Sequence, residues 1–254
     1  MNLSNNHLLL SPEKSIYPLK QVAYKVEMLN QLTSTIYQVF LLPLTEEKIQ
    51  YQAGQYLEIV SPDGIARPFS IANAPVKNGL IELHIRHFPG NPYTEQIIKQ
   101  ITQTGIVNIK GPYGKMILHT EPNYPFIFIA GGTGFAPIKA LIESSLMHFP
   151  EKLMYLYWGV RTLEDLYLAD LPKQWINLQP HFKFIPIIST QLEDLTWQGR
   201  HGFIHDVLLT DHSDLAHFHI YAAGPTEMVY SILHECNKIG LNKDLMYSDV
   251  FNTQ

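Results

Sequence analysis

The sequence predicts two folds in succession: a closed or nearly closed antiparallel β-barrel, then an α/β domain built on a parallel sheet. Three observations support this prediction. Short apolar runs separated by turn signals fill the chain to about residue 110. From residue 126 onward, apolar runs alternate with segments of helical periodicity. A glycine-rich turn, Gly131 to Gly134, stands between the first such run and the first such helix.

The first half consists of short predicted strands. From Gln21 the apolar residues alternate, which places Val22, Tyr24, Val26 and Met28 on one face. Turn signals such as the one at residues 77–79 separate further runs, and one helix is predicted near 93–101. The further runs are 36–42, 56–60, 68–72, 80–86 and 106–110. We therefore predict a barrel domain over residues 21–120, preceded by a loose extension over 1–20.

The second half has the rhythm of a doubly covered parallel sheet. After the apolar run 126–130, Ile138, Leu141, Ile142 and Leu146 follow helical spacing. Further strands are predicted at 154–158, 182–187 and 219–222, with helices near 202–209 and 225–238. Strand–helix alternation of this kind predicts an α/β domain over residues 121–254.

Composition excludes several classes of protein. The 254 residues are 46% hydrophobic with a net charge of −5, which fits a globular chain and gives no basic footprint for nucleic acid. The single cysteine, Cys236, excludes a disulfide, a zinc site built on cysteine pairs or a four-thiolate iron–sulfur cluster within this chain. His201 and His205 lack a third candidate ligand, so no metal is assigned. Without a signal-peptide pattern or a long apolar stretch, we expect no membrane partner and a cytoplasmic protein.

Arg67-Pro68-Phe69-Ser70 is the first motif with chemical content. The arginine can bind a phosphate through two charge-assisted hydrogen bonds, Phe69 offers a flat apolar surface and Ser70 can donate to a ring nitrogen. These residue types suit a phosphate-bearing aromatic cofactor. On these four residues alone, the alternative is a strand start with a surface arginine and a core phenylalanine.

The glycine-rich loop is the second motif. It follows an apolar run and opens a periodic helix, with Pro137 suited to the first helical turn. Backbone N–H groups and the positive end of a helix favour a pyrophosphate at such a turn. The loop differs from the dinucleotide fingerprint G-x-G-x-x-G, because Pro137 stands where the third glycine would be.

In order and spacing, these motifs resemble those of the ferredoxin–NADP reductase superfamily, most closely its NAD(P)H:flavin oxidoreductases. The resemblance runs from about residue 22 to 251 and includes Arg67–Ser70, Gly111-Pro112-Tyr113-Gly114, residues 131–137, 157–161, 222–225 and 249–251. It implies a flavin-binding barrel followed by an NAD(P)-binding domain.

The resemblance assigns the flavin to the barrel. The implied flavin-binding residues are Arg67, Pro68, Phe69, Ser70, His84, Ile85, Thr94, Gly111 and Tyr113. Arg67 would hold a flavin phosphate and Ser70 would lie near flavin N5. Thr94 would face a pyrophosphate at a helix start, and the alternative is a simple N-cap at that position. The turn around Gly90 departs from the family's usual double glycine, which leaves tight FAD binding open.

The implied NAD(P)-binding residues are Gly131, Gly132, Thr133, Gly134, Pro137, Gly159, Arg161, Ala223, Gly224, Pro225 and Met228. Thr133 would lie close to both rings. Ala223 stands where many relatives have a cysteine beside the nicotinamide. After the strand at 182–188 come Ser189, Thr190 and Gln191 without an arginine, which favours NADH over NADPH.

The implied catalytic residues are Ser70, Thr133 and Phe251, the last covering the flavin face near the end of the chain; the alternative for Phe251 is a core aromatic. The predicted reaction passes a hydride from nicotinamide C4 to flavin N5 and requires alignment and water exclusion rather than an acid–base pair. FAD or FMN is either a substrate, as in a flavin reductase, or a bound group that passes electrons to an acceptor protein. The rivals are a non-catalytic nucleotide-binding subunit and a Rossmann dehydrogenase.

Overall fold

A computed structural model describes residues 17–61, 63–190, 197 and 199–252. Most of the predicted extension 1–20, as well as Gln191, lies outside these residues. Within them, two six-stranded sheets follow one another along the chain. Among the described residues, no helix combines the length and the apolar composition required to cross a bilayer.

The first sheet is antiparallel and its strands run in the order β4-β3-β6-β1-β2-β5. Its strands are β1 (Lys20–Gln31), β2 (Ile36–Pro43), β3 (Tyr56–Val60), β4 (Ala66–Ser70), β5 (Ile81–Arg86) and β6 (Ile106–Tyr113), with α1 (Pro92–Thr104) before β6. An antiparallel bridge between Ile71 and Leu83 joins the two edge strands beyond the end of β4. The Ala72 N–H continues it by donating to the Glu82 carbonyl oxygen at 2.8 Å. The sheet is therefore a closed barrel, as predicted.

Side chains alternate between the two faces of each barrel strand, and those on the inner face fill the barrel core. On β5, the side chains of Ile81, Leu83 and Ile85 are fully buried in the barrel core. Helix α1 adds Ile97 and Ile101 to the same cluster, and Gly105, with φ of +64°, ends the helix in the left-handed conformation. The apolar period of two thus determines which face of each strand turns inward.

The second sheet is parallel, in the order β10-β9-β8-β7-β11-β12. Its strands are β7 (Phe126–Gly131), β8 (Met154–Val160), β9 (Phe182–Ile188), β10 (Arg200–His201), β11 (His219–Ala223) and β12 (Met246–Tyr247). The helices are α2 (Phe135–His148), α3 (Asp170–Leu178), α4 (Ile204–Asp211) and α5 (Thr226–Cys236). α2 and α3 pack on one face, and α4 and α5 on the other.

The predicted fold class is confirmed. The apolar run at 126–130 is the central strand β7, buried along its whole length, as expected for a sheet with both faces covered. Helix α3 and the short edge strands β10 and β12 were not predicted. The predicted boundary between residues 117 and 124 falls in the connection between β6 and β7.

Candidate active site

The carboxyl ends of β7 and β11 open into a cavity of about 390 Å³ at the junction of the two sheets. Ligands of open α/β sheets bind at such strand ends. The cavity is lined from the barrel side by Ser70, Arg86 and Met116, and from the other side by Gly131, Thr133, Gly134, Pro137, Ala222, Ala223, Gly224, Pro225, Ser248, Asp249 and Val250. The structure thus brings Ser70 and Thr133, two of the predicted catalytic residues, to one cavity.

Close backbone contact joins the glycine-rich loop to the turn after β11. A Cβ built on Gly134 would lie 2.1 Å from the carbonyl oxygen of Ala223, so no side chain fits there. The indole Nε1–H of Trp158 donates a hydrogen bond to the Gly132 carbonyl oxygen at 3.1 Å, which holds the same loop at a second point. The loop is therefore fixed on two sides.

A second cavity of about 520 Å³ continues from the first along the α/β domain. The two cavities share Arg86, Gly131 and Pro225. The second is lined further by Gly132, Gly159, Val160, Arg161, Asp165, Ser189, Gly202, Phe203, Ile204, His205, Glu227, Met228 and Ser231. All eleven residues predicted for NAD(P) binding line one cavity or the other.

Arg86 is a lining residue that the sequence prediction missed. It lies at the end of β5, and one guanidinium nitrogen, Nη2, is 3.5 Å from Oδ1 of Asp165. Its Nε is buried and has no hydrogen-bond partner among the described residues. A Cβ on Gly132 would lie 3.2 Å from Nη2, so the cation stands directly beside the glycine-rich loop. Alternation along β5 places Arg86 on the face opposite Ile85, but it does not tell that this face meets the other domain.

His84 and Ile85 do not present their side chains to either cavity. Ile85 is fully buried in the barrel core. The His84 ring nitrogens are 2.9 Å from the Tyr167 hydroxyl and 2.9 Å from a Glu82 carboxylate oxygen. The prediction that these two residues bind flavin can therefore hold only for their backbone atoms.

Arg67 lies beside the start of α1, with its guanidinium carbon 4.1 Å from the centre of the Tyr93 ring. In the same motif, Pro68 is exposed and Phe69 packs against the barrel core. Arg67 thus remains near a helix N-terminus, where an anion is favoured.

Thr94 is engaged by protein groups. The N-cap of α1 is Asn91, whose Oδ1 accepts hydrogen bonds from the N–H groups of Tyr93 and Thr94. The Thr94 hydroxyl lies 2.8 Å from Nδ1 of His87. The alternative prediction of an N-cap at Thr94 is wrong, because the cap lies three residues earlier.

Gly111 and Tyr113 line neither cavity. Gly111 packs against Leu57, where a Cβ would meet the leucine Cβ at 3.2 Å. The Tyr113 ring stacks on Tyr56 with centres 5.5 Å apart. Burial is the larger cause and a hydrogen bond to Glu58 the second; together they raise the pKa of Tyr113 to about 12. Flavin binding by these two residues stays a prediction.

Phe251 is also away from the cavities. Its ring packs edge-on against Tyr230 of α5, with centres 5.9 Å apart. The residues of the C-terminal segment that line the first cavity are Ser248, Asp249 and Val250. The Lys115 N–H donates to Oδ1 of Asp249 at 3.0 Å, which ties this segment to the turn after β6.

A network of buried ionisable groups joins the two halves at a third cavity, which Glu82, Lys139 and Tyr167 line. Nζ of Lys139 on α2 lies 2.7 Å from Oε2 of Glu82 on β5. Burial alone would raise the pKa of Glu82, but the hydrogen bond from His84 and the charge of Lys139 outweigh it and lower the pKa to about 2. Because Glu82 is then an acceptor, neutral His84 donates from Nε2 and accepts the Tyr167 hydroxyl at Nδ1.

The donor set of the cavities fits a dinucleotide. Arg86 and Arg161 supply cations beside a glycine-rich loop, and Phe203, Ile204 and Met228 supply apolar walls. Asp165 and Glu227 supply acceptors suited to ribose hydroxyls. Within the described parts of the chain, no group of three or more His, Cys, Asp or Glu side chains could hold a metal ion.

Comparison with known proteins finds two domain families, one after the other along the chain. Residues 25–117 match the family described as oxidoreductase FAD-binding domain, and residues 128–233 match the oxidoreductase NAD-binding domain. A probable flavin reductase of Photobacterium leiognathi is 34% identical over 240 residues, which cover 90% of this chain and 97% of the relative. The chain belongs to the ferredoxin–NADP reductase family. The predicted family is thereby confirmed.

Other members of this reductase family are longer. The CDP-6-deoxy-L-threo-D-glycero-4-hexulose-3-dehydrase reductase of Yersinia pestis is 35% identical over 204 residues, and the chain spans 60% of its length. Reductase component 2 of terephthalate 1,2-dioxygenase from Comamonas is 32% identical over 207 residues, or 61% of that relative. The crystal structure of an Amycolatopsis cytochrome P450 reductase superposes with a TM-score of 0.78 at 26% identity, covering 91% of this chain and 69% of that one.

Proposed function

We propose that this chain is an NAD(P)H:flavin oxidoreductase that reduces flavin taken up as a substrate. The observation that carries the proposal is the cavity shared by Ser70 of the barrel and Thr133 of the glycine-rich loop. When both ligands are bound, a hydride passes from nicotinamide C4 to flavin N5, and with a proton from water NAD(P)H and flavin give NAD(P)⁺ and reduced flavin.

The protein's part in this reaction is alignment and exclusion of water. The Ser70 hydroxyl is suited to donate to the flavin ring, and the small side chains of Ala222 and Ala223 leave room for a second ring beside it. Met116 and Val250 close the cavity with apolar groups. In our proposal residues 21–120 hold the flavin and residues 121–254 the nicotinamide nucleotide.

The start of α1 supports flavin as a substrate rather than as tightly bound FAD. Both the N–H and the hydroxyl of Thr94 are already engaged, by Asn91 and His87. A pyrophosphate at that helix start would have to displace these groups. Arg67 could still bind one phosphate group, and this suits FMN as well as FAD. The relative that matches over nearly its whole length is itself named a probable flavin reductase.

We propose NADH as the preferred donor. Arg200, the first arginine after β9, is paired with Asp211 at 2.6 Å and does not line the cavity. Asp165 and Glu227 line the nucleotide cavity, where they balance the charges of Arg86 and Arg161, so the cavity carries no excess positive charge to attract an additional phosphate.

The alternative is a reductase component with bound FAD that passes electrons to an acceptor protein. The similarity to longer reductases of dehydrase and dioxygenase systems favours it.

NADH oxidation by purified, desalted protein separates the two functions. The proposal expects a rate that depends on added FMN, FAD or riboflavin and saturates with its concentration. A protein that stays yellow, is bleached by NADH and gains no rate from added flavin would instead be the reductase component. A colourless protein that neither oxidises NADH nor responds to flavin would refute both.

A further inference from the structure

Lys139 is a buried lysine that bonds across the two halves of the molecule. Its Nζ lies 2.7 Å from Oε2 of Glu82 and 3.0 Å from the carbonyl oxygen of Ala72, both in the barrel. The third contact, 2.7 Å long, is to Glu143 on its own helix. Lys139 is only 5% exposed. Two of its N–H donors are therefore used by the opposite half, and the contact to Glu143 is an ion pair.

Glu143 makes a second bond between the halves. Its Oε2 accepts the Ala74 N–H at 3.0 Å. Lys139 and Glu143 lie one turn apart on α2, so one helix holds Ala72 and Ala74 together. This segment follows directly after Ser70, which lines the cavity.

The same helix begins at the other wall of the cavity. α2 starts at Phe135, directly after the glycine-rich loop that contains Thr133. A helix is rigid over one or two turns, so the position of Lys139 determines that of the loop. Lys139 thus connects the segment behind Ser70 to the loop behind Thr133.

A third connection runs from β5 to the loop by way of aromatic groups. The Tyr167 hydroxyl bonds to His84, next to Glu82 on the same strand face. The Tyr167 ring packs edge-on against Trp158 at 5.3 Å, and Trp158 bonds to the Gly132 carbonyl oxygen. Glu82, the partner of Lys139, therefore belongs to a network that reaches the loop from both sides.

Stability alone does not account for this arrangement. Desolvation of two charges offsets most of their attraction, and well-packed apolar residues in place of a buried ion pair are often as stable. Directional bonds, however, restrict the arrangement of the two halves more narrowly than apolar contacts of the same area. A displacement of about 1 Å between reacting groups can slow a reaction about a hundredfold.

We propose that Lys139 is a positioning residue for hydride transfer, which fixes the Ser70 side of the cavity against the Thr133 loop through Glu82, Ala72 and Glu143. This inference rests on the proposed function. Lys139 touches neither reacting group; it acts through the backbone segments that line the cavity.

The test compares Lys139→Met with Lys152→Met. Lys152 is half-buried on the same half of the molecule, and among the described residues its hydrogen bonds run to Asn123 and Tyr124 rather than to the barrel. For Lys139→Met we expect the turnover number at saturating NADH and flavin to fall at least about tenfold, with both KM values within about twofold of wild type. Lys152→Met should retain the wild-type turnover number. A folded Lys139→Met protein with wild-type turnover, or one in which only KM rises, would overturn the proposal.

Lys139→Met leaves Glu82 buried without its cation, which can prevent folding. The double variant Lys139→Met/Glu82→Gln removes both charges and tests the same geometry. It should fold and show the same loss of turnover. A double variant with wild-type turnover would show that apolar contact suffices for alignment and would overturn the proposal.

Hydrogen exchange provides a measurement that does not depend on the proposed function. In the Lys139→Met protein, or in the double variant if that one folds instead, we expect faster exchange at residues 72–74 and 131–134, but not in Lys152→Met. Unchanged exchange would overturn the inference. If wild-type protein does not reduce flavin, the proposed function fails. Hydrogen exchange alone then tests whether Lys139 holds residues 72–74 and the loop in place.

Discussion

The guanidinium of Arg86 and the carboxylate of Asp165 face each other at 3.5 Å across the boundary between the barrel and the α/β domain. The distance is long for a charge-assisted bond, which is usually 2.7–2.9 Å. Nε of Arg86 has no partner among the residues described here, and the guanidinium lies against the glycine-rich loop. An anion at that loop would complete the hydrogen bonding of the arginine.

Arg86→Gln is therefore expected to weaken nucleotide binding. Loss of a hydrogen bond to a charged group amounts to about 1.5–3 kcal/mol, so KM for NADH should rise about ten- to hundredfold. Steady-state kinetics with NADH varied at saturating flavin measure this. The matched control is Arg67→Gln, on the same barrel, which should raise KM for FMN and leave KM for NADH near wild type. An unchanged KM for NADH in Arg86→Gln would contradict the assignment.

Trp158→Phe tests how firmly the glycine-rich loop is held. The substitution keeps an aromatic ring on Phe135, which stacks on Trp158 at 3.8 Å, but removes the donor to the Gly132 carbonyl oxygen. We expect a loss of about 1–3 kcal/mol in the free energy of unfolding and a higher KM for NADH. Denaturant unfolding and steady-state kinetics provide the two readouts. Trp175→Phe is the control, because Trp175 packs in the same core but, within the described parts of the chain, makes no hydrogen bond to the loop; it should lower stability only. Equal kinetic effects in both variants would refute a specific role for Trp158.

The predicted residues that line the two cavities are those whose placement follows from local chain geometry. The loop at 131–134 and the turn at 223–225 lie between a strand and a helix, so periodicity placed them at one sheet edge. Arg86, Glu82 and Lys139 were missed because their role depends on which face of β5 meets α2, and alternation alone does not tell which face meets another domain. Asn91 was a different kind of miss, since an Asn before a proline and a periodic segment is a local N-cap signal.

Acidification should destabilise the protein in two stages. Burial, as the first cause, lowers the pKa of His84, His119, His212 and His219. The unfolded chain therefore binds protons below about pH 6.5 that the folded protein excludes, and stability falls as the pH drops through that region. Glu82, with its pKa lowered to about 2, stays ionised when folded. Its stabilising contribution is complete above about pH 4.3 and is lost between about pH 4 and 2.

Urea unfolding between pH 7.5 and 5.5 measures the first stage. Each histidine that is neutral only in the folded state can add up to about 1.4 kcal/mol per pH unit to the slope of the unfolding free energy against pH. His84→Gln removes one of these groups, so its slope of unfolding free energy against pH should be shallower than that of wild type, whatever its stability at pH 7.5. Identical slopes in the two proteins would mean that His84 does not contribute.

Ser70→Ala tests the residue on which the proposed site depends most. Ser70 ends β4 at the wall of the first cavity. Its hydroxyl makes no hydrogen bond to another described residue that the substitution would break, so it is available to a flavin ring. Removing one donor at the reacting ring should cost about 1–3 kcal/mol of activation free energy, which lowers flavin reduction about five- to hundredfold. Ser61→Ala is the matched control, since that hydroxyl bonds to the Ile65 carbonyl oxygen at 2.9 Å and lines neither cavity. It should lower stability and retain the rate. A wild-type rate in Ser70→Ala, measured by stopped-flow reduction of FMN, would exclude Ser70 from the reaction and require the flavin to lie elsewhere.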